Sequence, residues 1–316
     1  DVEFAESKFA KAKSLLISLA PNAIGFDDLI TNDDSAENAL SFFNSNDCEK
    51  IFIFQTTFTD AKFLLNFAQT IKKPICIVSF PEPRTGGRLR LNSICGLNLG
   101  MHSLIKNSIN AEFVIMDADE KLNKSLFEGF ISGNVIKDQH SWKEASLGNS
   151  QTNFDYSIDK QTIGIIGTRP EGFDTCDYDS NEVTNKLNVS LVDLELEELF
   201  DEAKSVETDT IVKTKNTVSS YLQGTEELVQ EELDKSLSIF HGLENLKDKH
   251  NLDAFAIRCW PETFTEYGCA SCGPMAMMNE KKVSCACEAD VLGGVSCNIL
   301  NQMNNNPSLL VDIVDV

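Results

Sequence analysis

The chain has 316 residues, of which 42% are hydrophobic, and its 49 acidic and 27 basic side chains give a net charge of −22. This length is typical of about two domains, and the apolar content argues against a disordered chain. The charge argues against nucleic acid and membrane as partners, because phosphate backbones and anionic lipids repel an acidic protein. No apolar run in the sequence is long enough for a bilayer and no secretory signal is visible, so we expect a cytoplasmic protein.

Apolar runs of strand length alternate with helical patterns in the first half of the chain. The runs at 49–55, 73–80 and 111–118 are continuous, as expected for strands that helices cover on both faces. Helical patterns at 58–71 and 93–109 connect these runs. This alternation predicts a parallel α/β domain over residues 1–150.

A polar stretch at 138–160 separates this domain from a second one, at 151–316, in which the same organisation begins again. The strands predicted in it are 162–167, 189–194, 254–260, 283–288 and 309–316. Residues 216–250 predict one or two long helices with an acidic face. We therefore expect an α/β fold of two consecutive Rossmann-like parallel-sheet domains with helices on both faces. The glycines around 164–172 do not form G-x-G-x-x-G, so no nucleotide cofactor is predicted.

Four cysteines in the segment 258–294 have spacings that a zinc site could use. Cys269 and Cys272 form a C-x-x-C pair, and Cys285 and Cys287 follow as C-x-C. The alternative is that these thiols are small packing side chains, which is a common use of free cysteine. We favour packing, because the residues after Cys269 have the pattern of a helix start rather than of a zinc knuckle.

Two carboxylates in the same segment follow predicted strands directly. Glu262 comes after the run 254–260, and Asp290 comes after the run 283–288. Ligands of open α/β sheets bind beyond the carboxyl ends of the strands, and paired carboxylates suit a hard cation such as Mn²⁺ or Mg²⁺. Each residue also has a structural interpretation: Asp290 as the N-cap of a helix, and Glu262 as a charge in the first turn of one.

The stretch "AIRCWPE", followed by "CACEADVLGGVSCNIL", resembles the L-fucose/L-arabinose isomerase superfamily, and especially its fucose isomerase-like members. The stretch "IGIIGTRPEGF" is similar to the start of that family's second domain. The resemblance covers about residues 75–316. It implies two Rossmann-like domains followed by a C-terminal domain, and it predicts that this third domain is absent from the sequence.

The resemblance implies a metal-dependent aldose–ketose isomerase that acts on a small-molecule sugar through a cis-enediol intermediate. In it, Glu262 and Asp290 would bind Mn²⁺, or another divalent cation such as Mg²⁺, and would also perform the acid/base chemistry. The family's third ligand, a His, is expected beyond Val316, so the chain alone could be inactive. Glu288, Arg169 and Trp260 are weaker candidates for contacts around the metal or substrate. The family also implies a homo-oligomer, a trimer or hexamer.

Two other functions fit the same sequence. Two α/β domains in about 300 residues are also typical of non-enzymatic sugar-binding modules. A zinc-stabilised interaction protein would use the four cysteines instead of the two carboxylates.

Overall fold

The computed structural model describes residues 2–84, 89–116, 120–134 and 160–315. By its internal contacts the chain divides into a first unit, Asp1–Ser150 with Asp312–Val316, and a second unit, Gln151–Val311. Most of the stretch predicted as a linker, 138–160, lies outside the described residues. No helix in the described ranges has the length and apolarity that crossing a membrane requires.

The first unit contains a parallel sheet of order β1-β2-β3. Its strands are β1 (Ile51–Gln55), β2 (Ile75–Ser79) and β3 (Ala111–Ile115). Its helices are α1 (Val2–Leu19), α2 (Asp33–Ser45), α3 (Lys62–Ile71), α4 (Ser93–Lys106) and α5 (Glu120–Ser132). All five residues of β2 are buried, and they alternate between two apolar clusters, with Cys76 and Val78 in one and Ile75 and Ile77 in the other. Helices therefore cover both faces of this sheet, as the continuous apolar runs predicted.

The second unit contains a parallel sheet of order β5-β4-β6-β7. Its strands are β4 (Gln161–Ile166), β5 (Val189–Leu194), β6 (Ala254–Ile257) and β7 (Ser284–Ala286). Its helices are α6 (Ser180–Leu187), α7 (Leu196–Lys204), α8 (Thr208–Ser219), α9 (Gln230–His250), α10 (Cys272–Glu280) and α11 (Val291–Asn304). The central strand β6 is buried throughout, with Phe255 and Ile257 in one apolar cluster and Ala254 and Ala256 in the other. The expected fold class, parallel sheets between helices, is confirmed in both units.

One predicted strand is wrong, and two predicted strands of the second unit are shorter than predicted: the one at 254–260 is only Ala254–Ile257, and the one at 283–288 is shortened too. Residues 309–315 form neither strand nor helix, and Val311 is 75% exposed. An apolar pattern indicates that a segment could form a β-strand. The segment becomes a strand only where a neighbouring strand is available for hydrogen bonding. The strand predicted at 283–288 is only Ser284–Ala286, so Cys287 lies beyond it.

Candidate active site

Three chain segments begin at the same edge of the second sheet. We call them the exits of β4 (167–179), β6 (258–271) and β7 (287–290). All pairs in this sheet are parallel, with β6 between β4 and β7, so the carboxyl ends of these strands lie side by side. The backbone N–H of Ala289 donates to the carbonyl of Ile257 at 3.0 Å, which ties the exit of β7 to the end of β6. The predicted site residues Arg169, Glu262 and Asp290 follow β4, β6 and β7 respectively. The sheet thus brings the three segments to one edge, as strand-end placement predicted.

The exit of β4 turns sharply and does not open a helix. Gly167 has φ of 73°, and a short 3₁₀ turn follows at Asp174–Cys176 before α6 begins. This agrees with the failed dinucleotide pattern in the sequence. Arg169 is paired with its own segment: its Nη1 lies 3.3 Å from Asp174 Oδ1 and its Nη2 lies 3.9 Å from Asp177 Oδ1. Its role toward a substrate stays a prediction.

The exit of β6 holds Glu262 against an arginine. Arg258 Nε donates to Glu262 Oε2 at 2.7 Å, and the two side chains are 22% and 23% exposed. This hydrogen bond holds the pKa of the Glu262 carboxyl below its ordinary value and outweighs partial burial, which acts in the opposite direction. Glu262 is therefore an ionised carboxylate at neutral pH. Trp260, a weaker predicted site residue, is partly exposed and lies with its ring centroid 6.2 Å from that of Phe173.

The exit of β7 places Asp290 at the start of α11. Its Oδ1 accepts the backbone N–H of Gly293 at 2.8 Å, so the N-cap interpretation of Asp290 holds. A Cβ at Gly293 would lie 2.5 Å from Asp290 Oδ2, and a Cβ at Gly294 would lie 3.1 Å from the Phe255 carbonyl. Gly294 therefore permits close packing of α11 on the sheet, and Gly293 leaves room for the capping carboxylate.

Cys176 joins the exits of β4 and β7, and the sequence analysis did not identify it. Its thiol lies 3.9 Å from Glu288 Oε2, although the two residues are 112 positions apart. Burial raises the pKa of the Cys176 thiol to about 12, and the nearby charges of Asp290 and Glu288 act in the same direction. Glu288, one of the weaker predicted residues, thus lies close to Cys176, whose thiol also feels the charges of Asp290 and Arg169. Only the strand order could have revealed this contact.

The four cysteines that suggested zinc do not form a site together. Cys269 and Cys285 are buried, Cys272 is exposed and Cys287 is partly buried. Burial raises the pKa of the Cys269 thiol to about 11, which disfavours the thiolate that zinc requires. Across the described ranges, no group of three or more His, Cys, Asp or Glu side chains could hold a metal ion. The packing interpretation therefore fits Cys269, Cys285 and Cys287, which lie in or against one apolar cluster, whereas Cys272 is exposed and does not pack in it.

The absence of a group of three metal ligands among the described residues also concerns the predicted cation site of Glu262 and Asp290. Glu262 and Asp290 supply the oxygen donors that Mn²⁺ or Mg²⁺ prefers, from neighbouring strand exits. Each also makes a protein contact, Glu262 with Arg258 and Asp290 with the first turn of α11. Carboxylate oxygens suit a hard cation. Within the described part of the chain, however, these two carboxylates are not part of any group of three or more possible metal ligands.

No family model matches the chain. The chain is similar to the protein named sulfoquinovose isomerase in Priestia megaterium, with 26% identity over 322 residues that cover all of this chain and 67% of that protein. The protein of the same name in Alkalicoccus urumqiensis is 27% identical over 280 residues, which cover 88% of this chain and 58% of the relative. The one in Clostridium sp. is 24% identical over 319 residues. The chain thus spans about two thirds of the length of these curated relatives, which carry the name of a sugar isomerase.

Proposed function

We propose that the chain belongs to an aldose–ketose sugar isomerase whose active site includes the exits of β4, β6 and β7. The observation that carries this proposal is the similarity to proteins named sulfoquinovose isomerase, which extends over the whole chain. The geometry supports it, because an ionised carboxylate and an aspartate that caps a helix lie at the edge of a parallel sheet where ligands usually bind. The finer assignment, to the L-fucose isomerase superfamily, rests on the AIRCWPE and CEAD motifs and is part of the same proposal.

The reaction moves one hydrogen between C1 and C2 of the sugar, together with a proton between the two oxygens. A base removes the proton from C2 of the aldose, an enediol forms, and the proton returns at C1. Glu262 is our candidate for this base, since it is ionised and Arg258 occupies its Oε2. We assign Oε1 to the reacting side, where the substrate and the cation proposed below would bind. A lowered pKa keeps the carboxylate of Glu262 deprotonated, but it also makes this carboxylate a weak base. The C2 proton therefore has to be made more acidic by polarisation of the neighbouring carbonyl.

We further propose that Glu262 and Asp290 contribute to a divalent cation site, for Mn²⁺ or Mg²⁺. Such an ion, when bound, would supply the Lewis-acid polarisation of the carbonyl. We propose that Glu288, which lies two residues before Asp290 on the exit of β7 and has its Oε2 3.9 Å from the Cys176 thiol, supports the aspartate. Dialysis against a chelator tests this: activity should disappear, and it should return with Mn²⁺ in the wild type but not in the Asp290→Ala variant.

The substrate named by the relatives carries a sulfo group and is therefore an anion. Both arginines at this edge are already bound by carboxylates, Arg169 by Asp174 and Arg258 by Glu262. We therefore do not assign the anionic group of such a sugar to either arginine. A substrate panel should accordingly compare sulfoquinovose with neutral pentoses, hexoses and deoxy-sugars.

The experiment measures interconversion of each sugar in D₂O by NMR, with the protein at its full natural length and loaded with Mn²⁺. The wild type should convert at least one aldose into its ketose and introduce deuterium at the carbon that receives the proton. Glu262→Gln should lower the rate by about 10²- to 10⁴-fold, the range expected for loss of a general base. An absence of interconversion with every sugar would refute the proposal, and sugar binding without conversion would favour the non-enzymatic binding module.

Two further predictions stay untested. The homo-oligomer, a trimer or hexamer, rests on the family resemblance, and the cytoplasmic location rests on the sequence. Sedimentation of the purified protein tests the first, because a monomer would contradict it.

A further inference from the structure

Arg258 connects two strand exits through three of its nitrogen atoms. Its backbone N–H donates to the carbonyl of Ile166 at 2.8 Å, which continues the pairing of β6 with β4 beyond both strands. Its Nη1 then donates to the carbonyl of Thr168 at 3.0 Å, on the exit of β4. Its Nε donates to Glu262 Oε2 at 2.7 Å, on the exit of β6. One side chain therefore fixes the Glu262 carboxylate relative to a neighbouring segment.

The glycine that ends β4 makes room for this arrangement. A Cβ built on Gly167 would lie 3.0 Å from Arg258 Cβ and 3.3 Å from its Cδ. Gly167 also has φ of 73°, which a residue with a side chain adopts with strain. The arginine can lie across the exit of β4 only because this position carries no side chain.

The chemistry of the contact requires arginine in particular. The guanidinium is a planar fork whose nitrogens point at two acceptors in fixed directions, whereas a lysine ammonium is a point charge on a flexible stem. In the described part of the chain, the hydrogen bonds to the Glu262 carboxylate come from Arg258 and from the backbone of Glu262 itself. Without Arg258, no other side chain among these residues would hold the carboxylate in its direction.

We propose that Arg258 is the positioning residue of Glu262 and that, together with Gly167, it sets the direction in which the carboxylate meets the substrate. This inference rests on the proposed isomerase function for its kinetic meaning. A carboxylate that abstracts a proton has to approach within hydrogen-bond reach, and a displacement of about 1 Å can cost about 10²-fold in rate. Arg258 itself would touch no reacting atom.

The kinetic test compares Arg258→Met, Arg258→Lys and Gly167→Ala with the wild type at full natural length. We expect Arg258→Met to lower kcat by about 10²-fold while KM changes by less than about threefold, because substrate contacts remain and only the base is misdirected. Arg258→Lys should regain only part of this loss, since it keeps the charge and loses the fork. Gly167→Ala should lower kcat in the same direction, although Arg258 is intact. If Arg258→Met does not fold, the Gly167→Ala variant still tests the proposal.

The matched control is Lys215→Met. Lys215 pairs with Asp234 at 2.7 Å in the same unit, and its side chain is 24% exposed, close to the 22% of Arg258. Its loss should leave kcat unchanged within about twofold. If Arg258→Met kept the wild-type kcat per folded molecule and lowered only the melting temperature, Arg258 would be a structural residue and the proposal would be wrong.

A second readout does not depend on turnover. Crystal structures of the wild type and Arg258→Met should show the Glu262 carboxylate displaced by more than about 1 Å in the variant. An unmoved carboxylate would overturn the proposal, whatever the activity. If the wild type converted no sugar, the proposed function would fail, and this comparison would still decide whether Arg258 positions Glu262.

Discussion

Asp290 combines a structural contact with a candidate chemical role. Its Oδ1 accepts the N–H of Gly293 and so satisfies one of the unpaired donors at the start of α11. The same carboxylate lies at the exit of β7, where burial raises the pKa of the Cys176 thiol and the charge of Asp290 adds to this effect. Capping requires only an oxygen acceptor, whereas cation binding and proton transfer require a charge. Substitutions can therefore separate the two roles.

Asp290→Asn should keep the cap and remove the charge, and Asp290→Ala should remove both. We expect the free energy of unfolding to stay within about 0.5 kcal/mol of the wild type for the Asn variant and to fall by about 1 kcal/mol for the Ala variant. Both variants should lose isomerisation. Urea denaturation measures the first quantity and sugar NMR the second. Full activity of Asp290→Asn would show that Asp290 is a helix cap without a chemical role.

Glu82 binds the backbone in front of α4. Its Oε1 accepts the N–H of Leu91 at 2.7 Å and that of Asn92, and its Oε2 accepts the N–H of Arg90 at 3.0 Å. Partial burial alone would raise the pKa of the Glu82 carboxyl, but these backbone hydrogen bonds together lower it below its ordinary value of 4.5. The carboxylate thus stabilises the folded state in its charged form.

Glu82→Gln should lower the free energy of unfolding by about 1 to 2 kcal/mol at pH 7, because one charged acceptor of several N–H groups is lost. Since the folded-state pKa is depressed, the stabilisation is complete above 4.5 and is lost as the pH falls through the folded-state pKa. The difference between wild type and variant should therefore shrink below pH 4.5. Glu37→Gln, on the exposed side of α2, is the control. A difference independent of pH would contradict the charged role.

At the scale of elements, α7 and α9 pack closely against each other at a glycine. A Cβ on Gly242 in α9 would lie 3.0 Å from the backbone N and 3.2 Å from the Cα of Ala203 in α7. Backbone atoms cannot move aside as the end of a flexible side chain can. The space between these helices is therefore set by the absence of a side chain at this position.

Gly242→Leu should force α7 and α9 apart and lower the free energy of unfolding by about 1 to 3 kcal/mol, despite the better helix propensity of leucine. Gly129→Leu is the control: this glycine lies in α5, and its Cβ would meet only the Asn134 carbonyl, at 4.0 Å. The control should show no loss. Equal stability of the two variants in urea denaturation would argue against close packing of α7 on α9.

At the scale of the whole molecule, both parallel sheets could be predicted because strands buried on two faces leave continuous apolar runs. The strand order β5-β4-β6-β7 could not be predicted, because the residues of a strand do not indicate which other strands lie beside it. The site divides in the same way. The positions of Glu262 and Asp290 after predicted strands could be read from the sequence, whereas the contact of Cys176 with Glu288 depends on β4, β6 and β7 being neighbours.

The distribution of thiols has a practical consequence. All ten cysteines lie in the described residues, and among them Cys272 alone is exposed, at the first residue of α10. The segment before it begins at Glu262 and contains a π-helical turn at Thr263–Tyr267, and the N–H of Cys269 donates to the carbonyl of Thr263 at 2.9 Å. A maleimide fluorophore should therefore label the natural chain selectively at Cys272, directly after the segment that starts with the candidate base. Such a dye would report sugar binding optically, without any turnover.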